Sequence, residues 1–328
     1  MLKLPRRKFL HLAAGAAALT FILLTLSGES AWNQATRTIR IVIPFPPGGS
    51  SDILARLLGE QINKAYGPNV IIENRPGGGA SIAYEAVARA APDGNTLLIN
   101  ANSFVINPHL RKVNYDPVIS FEPICNLVSS PIVLVVNSAS PYRTLNDYIA
   151  AAHAKPGELT FASAGPASAH HIGFEQFRLL ANINVTYVPY QGGAPATTAV
   201  LGNHVSAALV NYSEVVEQLD AGKLRAIASL SRERIPMLPD VPSASETFNN
   251  YEAEVWWGLQ APARTPKVTT AQLATWFRTA LQASDVKPKL TNLALYPVGN
   301  CGDDFATYIR KQFDEYGRII RDANIKGE

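Results

Sequence analysis

Formal charge is scarce in this sequence, and its small excess lies at one end. Only 17% of the 328 residues are Asp, Glu, Lys or Arg, and the formal net charge is +3. Lys3, Arg6, Arg7 and Lys8, set against the single acid Glu29 before residue 32, account for that excess. The rest of the chain is balanced, which excludes a global basic field that would attract nucleic acid or a membrane surface.

Three glycine-containing motifs of phosphate-binding and hydrolytic sites are also missing. The loop from Pro44 to Asp52 carries no Lys-Ser/Thr after its glycines, and no Gly-x-Gly-x-x-Gly follows the strand before it. Around Ser163, Phe161 stands where a Gly-x-Ser-x-Gly motif needs its first glycine. A hydrolase that uses Ser163 or Ser168 with His171 is therefore the weaker alternative, and we expect no enzymatic activity and no catalytic residue.

Cysteine and metal-ligand patterns are nearly absent. Cys125 and Cys301 are the only cysteines, and their positions in the sequence establish no proximity. We expect free, buried thiols, with pairing left open. The adjacent His170 and His171 point in different directions at a helix start, and the other histidines show no ligand-like spacing, so no metal or cofactor is expected.

The longest apolar run of the sequence, Leu10 to Leu26, follows the basic N-terminal residues. This order predicts an export signal over residues 1–31, and Arg6-Arg7-Lys8-Phe9-Leu10 resembles the twin-arginine consensus. We therefore expect a periplasmic protein whose signal is removed. The run is near the short end for a bilayer span, so an uncleaved anchor is the second interpretation, and the cleavage position stays open.

Strands and helices alternate through the first part of the remaining chain. Short β-branched strands are predicted at Ile39–Ile43, Asn69–Glu73 and Thr96–Ile99, with amphipathic helices over 51–65 and 81–90 between them. Ser50 or Ser51 is expected to cap the first helix, with Asp52 in its first turn. This order predicts a parallel α/β sheet, which binds ligands in loops at the carboxyl ends of its strands.

The same design recurs further along the chain. The strand Ile132–Val136 and the helix Leu145–Ala154 precede a strand at 159–162, which leads into the small-residue loop 163–171 and another helix. The segment 189–195 repeats the pattern. Two sets of such loops predict two lobes that face one cleft.

Several strings spread over the chain resemble the Bug family, the extracytoplasmic solute receptors of tripartite tricarboxylate transporters. They are Pro44–Asp52, Glu73–Gly79, the Pro-Asp-Gly turn at 92–94, Ser163, Gly165, Ser168 and His171 in register, Val188–Ala196, Ala221–Ala226, Leu238–Pro242, Trp256–Leu259 and Pro297–Gly299. The chain departs from the family pattern at Asn95, Ala167, His170, Gln191 and Asn211. Because Asn211 and Gln191 replace charged residues, we expect a pocket that is poorer in formal charge than is usual in the family, which disfavours amino-acid ligands that need an acidic partner.

This resemblance implies an α/β fold of two lobes, like a type II periplasmic binding protein, with the ligand cleft between them. Lobe 1 would comprise residues 32–131 and 259–328, and lobe 2 residues 132–258, with the chain crossing near Ile132 and returning near Trp257. The ligand-binding residues implied by the resemblance and the loops are Phe45, Gly48, Gly49, Ser50, Ser51, Asn102, Ser103, Ser163, Ala164, Gly165, Ser168, His171, Tyr190, Gly192 and Asn211.

The resemblance also implies a function. A periplasmic receptor of this kind captures a small organic carboxylate and delivers it to the membrane permease subunits of a tripartite transporter, and we expect a monomer. An alternative is a sensor that presents its ligand to a membrane kinase, since both roles use the same closed state. The sequence does not name the carboxylate.

Overall fold

The computed structural model describes residues 37–249 and 251–326. Residues from Thr38 onward form one compact unit. The predicted export signal over residues 1–31 lies outside the described residues. Within the described range, no helix combines the length and apolar character needed to cross a bilayer.

The first part of the chain folds into parallel strands with helices between them. In order, its elements are β1 (Thr38–Ile43), α1 (Ser50–Tyr66), β2 (Asn69–Asn74), α2 (Ser81–Ala88), β3 (Thr96–Asn100) and α3 (Ser103–Leu110). β1 lies between β2 and β3 and is parallel to both. Ile41 and Ile43 of β1 and Leu54 and Leu58 of α1 are fully buried, as a sheet covered by an amphipathic helix requires. The predicted parallel α/β pattern is confirmed.

The start of α1 differs from the prediction. Its N-cap is Gly49, which offers no side-chain cap, and the hydroxyl of Ser50 instead pairs with Ser213 Oγ at 2.7 Å. The prediction that Ser50 or Ser51 caps this helix is therefore wrong, because Ser50 bonds across to a distant turn. Asp52 does lie in the first turn, where it accepts from the Gly48 amide at 3.1 Å and pairs with Arg56 at 2.9 Å.

A second group of elements repeats the alternation. It consists of α4 (Leu145–Ala154), β5 (Thr160–Ser163), α5 (Ala169–Leu180), β6 (Thr186–Pro189), α6 (Gly193–Leu201), β7 (Ala207–Asn211), α7 (Val216–Asp220) and β8 (Leu224–Ser229). β5 runs parallel to β6 on one side and to β7 on the other. The loops after β5, β6 and β7 therefore emerge at the same edge of the sheet.

One long strand belongs to both groups. β4 (Phe121–Asn137) pairs with β9 (Glu254–Pro262), which also pairs with β3, and from Ile132 onward β4 pairs with β7 and β8. Its partners change after Pro131, next to the position where the sequence places the crossing between lobes. The division of the chain into two lobes at the predicted boundaries stays a prediction.

The C-terminal elements return to the first group. They are α8 (Lys267–Gln282), α9 (Lys287–Asn292), β10 (Tyr296–Cys301) and α10 (Asp303–Asp322). β10 is antiparallel to β4. Phe305 and Ile309 of α10 share a buried cluster with Phe104 of α3 and Trp256 of β9. The last helix, α10, is amphipathic and packs one face against the first group.

Cys125 and Cys301 form a disulfide, so the expectation of free thiols is wrong. The two residues lie directly opposite each other where β10 pairs with β4. The sequence left this pairing open because the register of two strands so far apart in the chain is decided only by the folded sheet. The crosslink joins the C-terminal segment to the long shared strand.

Candidate functional site

A cavity of about 490 Å³, counted out to its mouth, lies where loops of both groups meet. Its lining residues are Phe45, Pro46, Gly49, Ser51, Ala101, Asn102, Ser103, Ala164, Ser168, Ala169, His170, Gly192, Gly193, Ala194, Pro195, Asn211, Glu214, Val255 and Trp257.

The beginnings of four helices supply much of this lining. Gly49 is the N-cap of α1, Asn102 of α3, Ser168 of α5 and Gly192 of α6. The first amides of a helix have no partner within it, and the helix dipole adds a partial positive charge at that end. Four such ends at one cavity create a favourable environment for an anion without any cationic side chain.

Most of the predicted binding residues lie at this cavity or beside it. Nine of them line it: Phe45, Gly49, Ser51, Asn102, Ser103, Ala164, Ser168, Gly192 and Asn211. Gly165 and Tyr190 line an adjoining cavity, which shares Phe45, Ser103, Ala164 and Ser168 with the first. With no ligand in the structure, their role in binding stays a prediction.

Four predicted residues lie outside both linings: Gly48, Ser50, Ser163 and His171. Gly48 and Ser50 make the contacts at the start of α1 described above. The Ser163 hydroxyl pairs with Tyr187 Oη at 3.0 Å. The His171 ring stacks on Tyr187 and its Nε2 lies 3.9 Å from Glu175 Oε1. The side chains of Ser50, Ser163 and His171 therefore support the loops around the cavity.

The Asn102 side chain is occupied within the protein. Its Nδ2 donates to the Glu254 carbonyl at 3.1 Å and to Tyr316 Oη at 2.9 Å, and its Oδ1 accepts from the Trp256 amide at 3.1 Å. Asn102 therefore fixes β9 and α10 against the start of α3. We assign it a positioning role at the cavity wall.

Ser168 is a helix cap. Its Oγ accepts from the His171 amide at 3.1 Å and donates to the Gly165 carbonyl at 2.7 Å. The single hydroxyl hydrogen is thus engaged. In this arrangement the hydroxyl caps α5, and its contact with a ligand stays a prediction.

His170, which the sequence set aside in favour of His171, faces the cavity. The side chain is 3% exposed, and its Nε2 lies 3.2 Å from Asn211 Oδ1. Burial lowers the pKa of His170 to about 4, although the bond to Asn211 opposes that shift, so the ring is neutral at neutral pH. The departure from the family pattern at this position was the signal available in the sequence.

Glu214 is the second residue that sequence reasoning missed. It lies in a 3₁₀ turn, Tyr212–Glu214, directly after β7, and its carboxylate lines the cavity. Oε1 accepts from the Ser50 amide at 3.3 Å and Oε2 from the Asn211 amide at 3.2 Å. Burial raises the pKa of Glu214, while hydrogen bonds from Asn211 and Ser50 oppose the rise.

Glu214 places one carboxyl group in the lining of the cavity. It lies against the glycines at two helix starts, because a Cβ on Gly193 would stand 1.8 Å from Oε2 and one on Gly49 3.3 Å from Oε1. The carboxyl group of Glu214 therefore already occupies space at two of the four helix N-termini. No Lys or Arg belongs to the lining of this cavity among the described residues.

Neither serine forms a nucleophile–base pair with His171 in this geometry. The Ser168 hydroxyl accepts from the backbone amide of His171 and donates to the Gly165 carbonyl, and the Ser163 hydroxyl pairs with Tyr187. Among the described residues, no group of three or more His, Cys, Asp or Glu side chains is placed to hold a metal ion.

The comparisons with known proteins agree on one family. The sequence profile described as "Tripartite tricarboxylate transporter family receptor" matches residues 54–325. The periplasmic binding protein BugD is 27% identical in sequence, with a TM-score of 0.85 over 89% of this chain and 99% of its own.

Two ligand-bound structures from Rhodopseudomonas palustris show similar sequence identities and TM-scores. One, described as bound to adipate, is 28% identical with a TM-score of 0.86, over 90% of this chain and 100% of its own. The other, MatC with bound malate, is 29% identical with a TM-score of 0.81, over 87% and 99%. The two-group α/β architecture is thus that of periplasmic binding proteins, and the chain belongs to the Bug family of tripartite tricarboxylate transporter receptors.

Proposed function

We propose that this protein is a periplasmic receptor that captures a small organic carboxylate and delivers it to a tripartite membrane transporter. The observation that carries the proposal is the convergence of four helix N-termini on one cavity that has no cationic side chain in its lining. Fixed amide donors and helix dipoles of this kind favour a carboxylate. The adipate and malate in the two related structures belong to the same chemical class.

A ligand screen by thermal shift on the mature protein tests the proposal. Succinate, malate, glutarate and adipate are the first probes, with the amine cadaverine as a control of similar length and opposite charge. A ligand that binds only the folded state at 100 times its Kd raises stability by about 2.7 kcal/mol. Stabilisation by at least one dicarboxylate and by no diamine is expected, and no response to any carboxylate would contradict the proposal.

Export by the twin-arginine route is part of the same proposal. It rests on Arg6 and Arg7 ahead of the apolar run. The R6K/R7K double variant should leave the precursor in the cytoplasm, which cell fractionation measures. Unchanged export in cells without the twin-arginine translocase would assign the general secretory route instead.

Delivery to permease subunits by a monomer completes the proposed function. Co-purification with the permease in the presence of the identified ligand, and light scattering on the free protein, test these two points. Recovery of a membrane kinase in place of a permease would favour the sensor.

A further inference from the structure

Two buried polar groups at the cavity have no partner in the described part of the chain. They are Nδ1 of His170 and Nε1 of Trp257, and both side chains are 3% exposed. Both residues line the cavity. Buried polar atoms are nearly always paired, so each of these groups indicates a place for a ligand atom or an ordered water.

The hydrogen-bond network behind His170 defines which nitrogen carries its proton. The Asn211 side chain accepts from the Glu214 amide as part of a capping box. Only the oxygen of an amide side chain can accept a hydrogen bond, so this contact identifies the oxygen end of the Asn211 side chain. The same oxygen faces His170.

An amide oxygen accepts hydrogen bonds only, so Nε2 of His170, at 3.2 Å, must be the donor. The ring is neutral because burial lowers its pKa to about 4. A neutral imidazole protonated at Nε2 leaves Nδ1 as a bare acceptor. Trp257 Nε1 is a donor only, so the two unpartnered groups have opposite hydrogen-bonding character.

We propose that His170 Nδ1 accepts a hydrogen bond from a ligand hydroxyl, so that this receptor selects a hydroxylated carboxylate over its unsubstituted and 2-oxo analogues. Trp257 Nε1 donates to a ligand oxygen at the same cavity. Asn211 acts as a positioning residue for His170, because its side-chain oxygen fixes the tautomer of the ring. This inference rests on the proposed function of the cavity as a carboxylate site.

The same geometry disfavours an amino acid as the ligand. Oε1 and Oε2 of Glu214 already accept from the backbone amides of Ser50 and Asn211, so an ammonium group would compete with these two donors for the carboxyl group. An ammonium has three donors to satisfy, whereas Nδ1 of His170 accepts a single hydrogen bond. A hydroxyl donates once and is matched by the single imidazole nitrogen.

Calorimetric titration with ligands of equal length tests the selection. The probes are glutarate, both enantiomers of 2-hydroxyglutarate, 2-oxoglutarate and L-glutamate, together with succinate and malate. One 2-hydroxy enantiomer should bind roughly 10- to 100-fold more tightly than its unsubstituted parent, since otherwise a buried acceptor stays unpaired. Equal affinity for the parent or the 2-oxo acid, or tighter binding of L-glutamate, would overturn the inference.

Two matched variants of His170 distinguish the roles of its two ring nitrogens. H170Q places an amide near the position of Nε2 and removes the Nδ1 acceptor, so it should abolish the preference for the hydroxyl. H170N places its amide oxygen near the position of Nδ1 and should retain part of that preference. Unchanged discrimination in H170Q would overturn the role assigned to Nδ1.

A measurement on the ligand-free protein tests the inference independently of the proposed function. Proton–nitrogen correlation spectra of the imidazole rings, assigned with H170Q, should show His170 protonated at Nε2 only at neutral pH. Protonation at Nδ1 would overturn the inference whatever the ligand. Conversely, an Nε2-protonated ring in a protein that binds no carboxylate at all would contradict the proposed function.

Discussion

At the residue scale, the neutral His170 links stability to pH. The pKa of His170 is about 4 in the folded protein and 6.5 in the unfolded chain. Between these two pH values, the unfolded chain therefore binds a proton that the folded protein does not bind. Stability is therefore lost as pH falls from about 6.5 to about 4, by about 2–3 kcal/mol. Glu214 contributes with the opposite sign, because burial raises its pKa.

Urea unfolding at pH 7.5 and pH 4.5 measures this effect. H170Q retains Glu214 and should lose about 2–3 kcal/mol less than the wild type across this range. The exposed His204 supplies the control, since H204Q should behave like the wild type. Equal pH dependence in the wild type and H170Q would show that His170 titrates normally.

Gly193 is expected to tolerate no side chain while Glu214 is present. A Cβ there would stand 1.8 Å from Glu214 Oε2, so G193A must displace the carboxylate and should cost about 1–3 kcal/mol of stability. G49A, whose Cβ would lie 3.3 Å from Oε1, should cost less. In a double-mutant cycle, E214A should recover most of the loss caused by G193A, and strict additivity of the two changes would contradict the contact.

At the scale of single elements, the side-chain cap of α5 should contribute to the stability of the protein and little to its ligand affinity. S168A removes a side-chain cap and should cost about 1 kcal/mol. Because the hydroxyl hydrogen is engaged by the Gly165 carbonyl, ligand affinity should change by less than about tenfold, that is, less than about 1.4 kcal/mol. T144A removes the equivalent cap of α4, outside the cavity lining, and is the matched control.

Thermal melts and calorimetry on both variants check this expectation. Comparable stability losses with nearly unchanged affinity are the expected result. A loss of affinity well beyond tenfold in S168A alone would mean that the hydroxyl turns from Gly165 to the ligand.

At the scale of the whole molecule, contacts of Ser50 join the two groups of strands across the cavity. The hydroxyl of Ser50 in α1 pairs with Ser213 Oγ at 2.7 Å, beside the bond from the Ser50 amide to Glu214. We expect ligand binding to close the two groups about the shared strand β4 and its partner β9. The Ser50–Ser213 contact would then stabilise the closed form.

Small-angle scattering tests closure. The radius of gyration should fall when a verified ligand is added to the wild type. Free S213A should be the more expanded protein, and saturating ligand should remove the difference. S206A, whose hydroxyl accepts from the Thr160 amide within the second group, is the control. Equal radii with and without ligand would argue against closure.

The sequence by itself determined the α/β class and the loops that carry the site. Alternating β-branched strands and amphipathic helices are local patterns, and each is visible within about ten residues. Loops after parallel strands meet at one edge whatever the details of packing, which is why Phe45, Gly49, Ser168 and Gly192 lie at the cavity as expected. The family resemblance supplied the overall topology.

Only the tertiary structure decided which polar groups face one another. The choice of His170 over His171 depends on the rotation of α5 about its axis, and the disulfide between Cys125 and Cys301 depends on the register of β10 against β4. Glu214 meets the Ser50 amide across a separation of 164 residues, because the shared strand β4 brings β7 beside the first group. Such contacts depend on distances between elements that are far apart in the chain, and local periodicity carries no information about them.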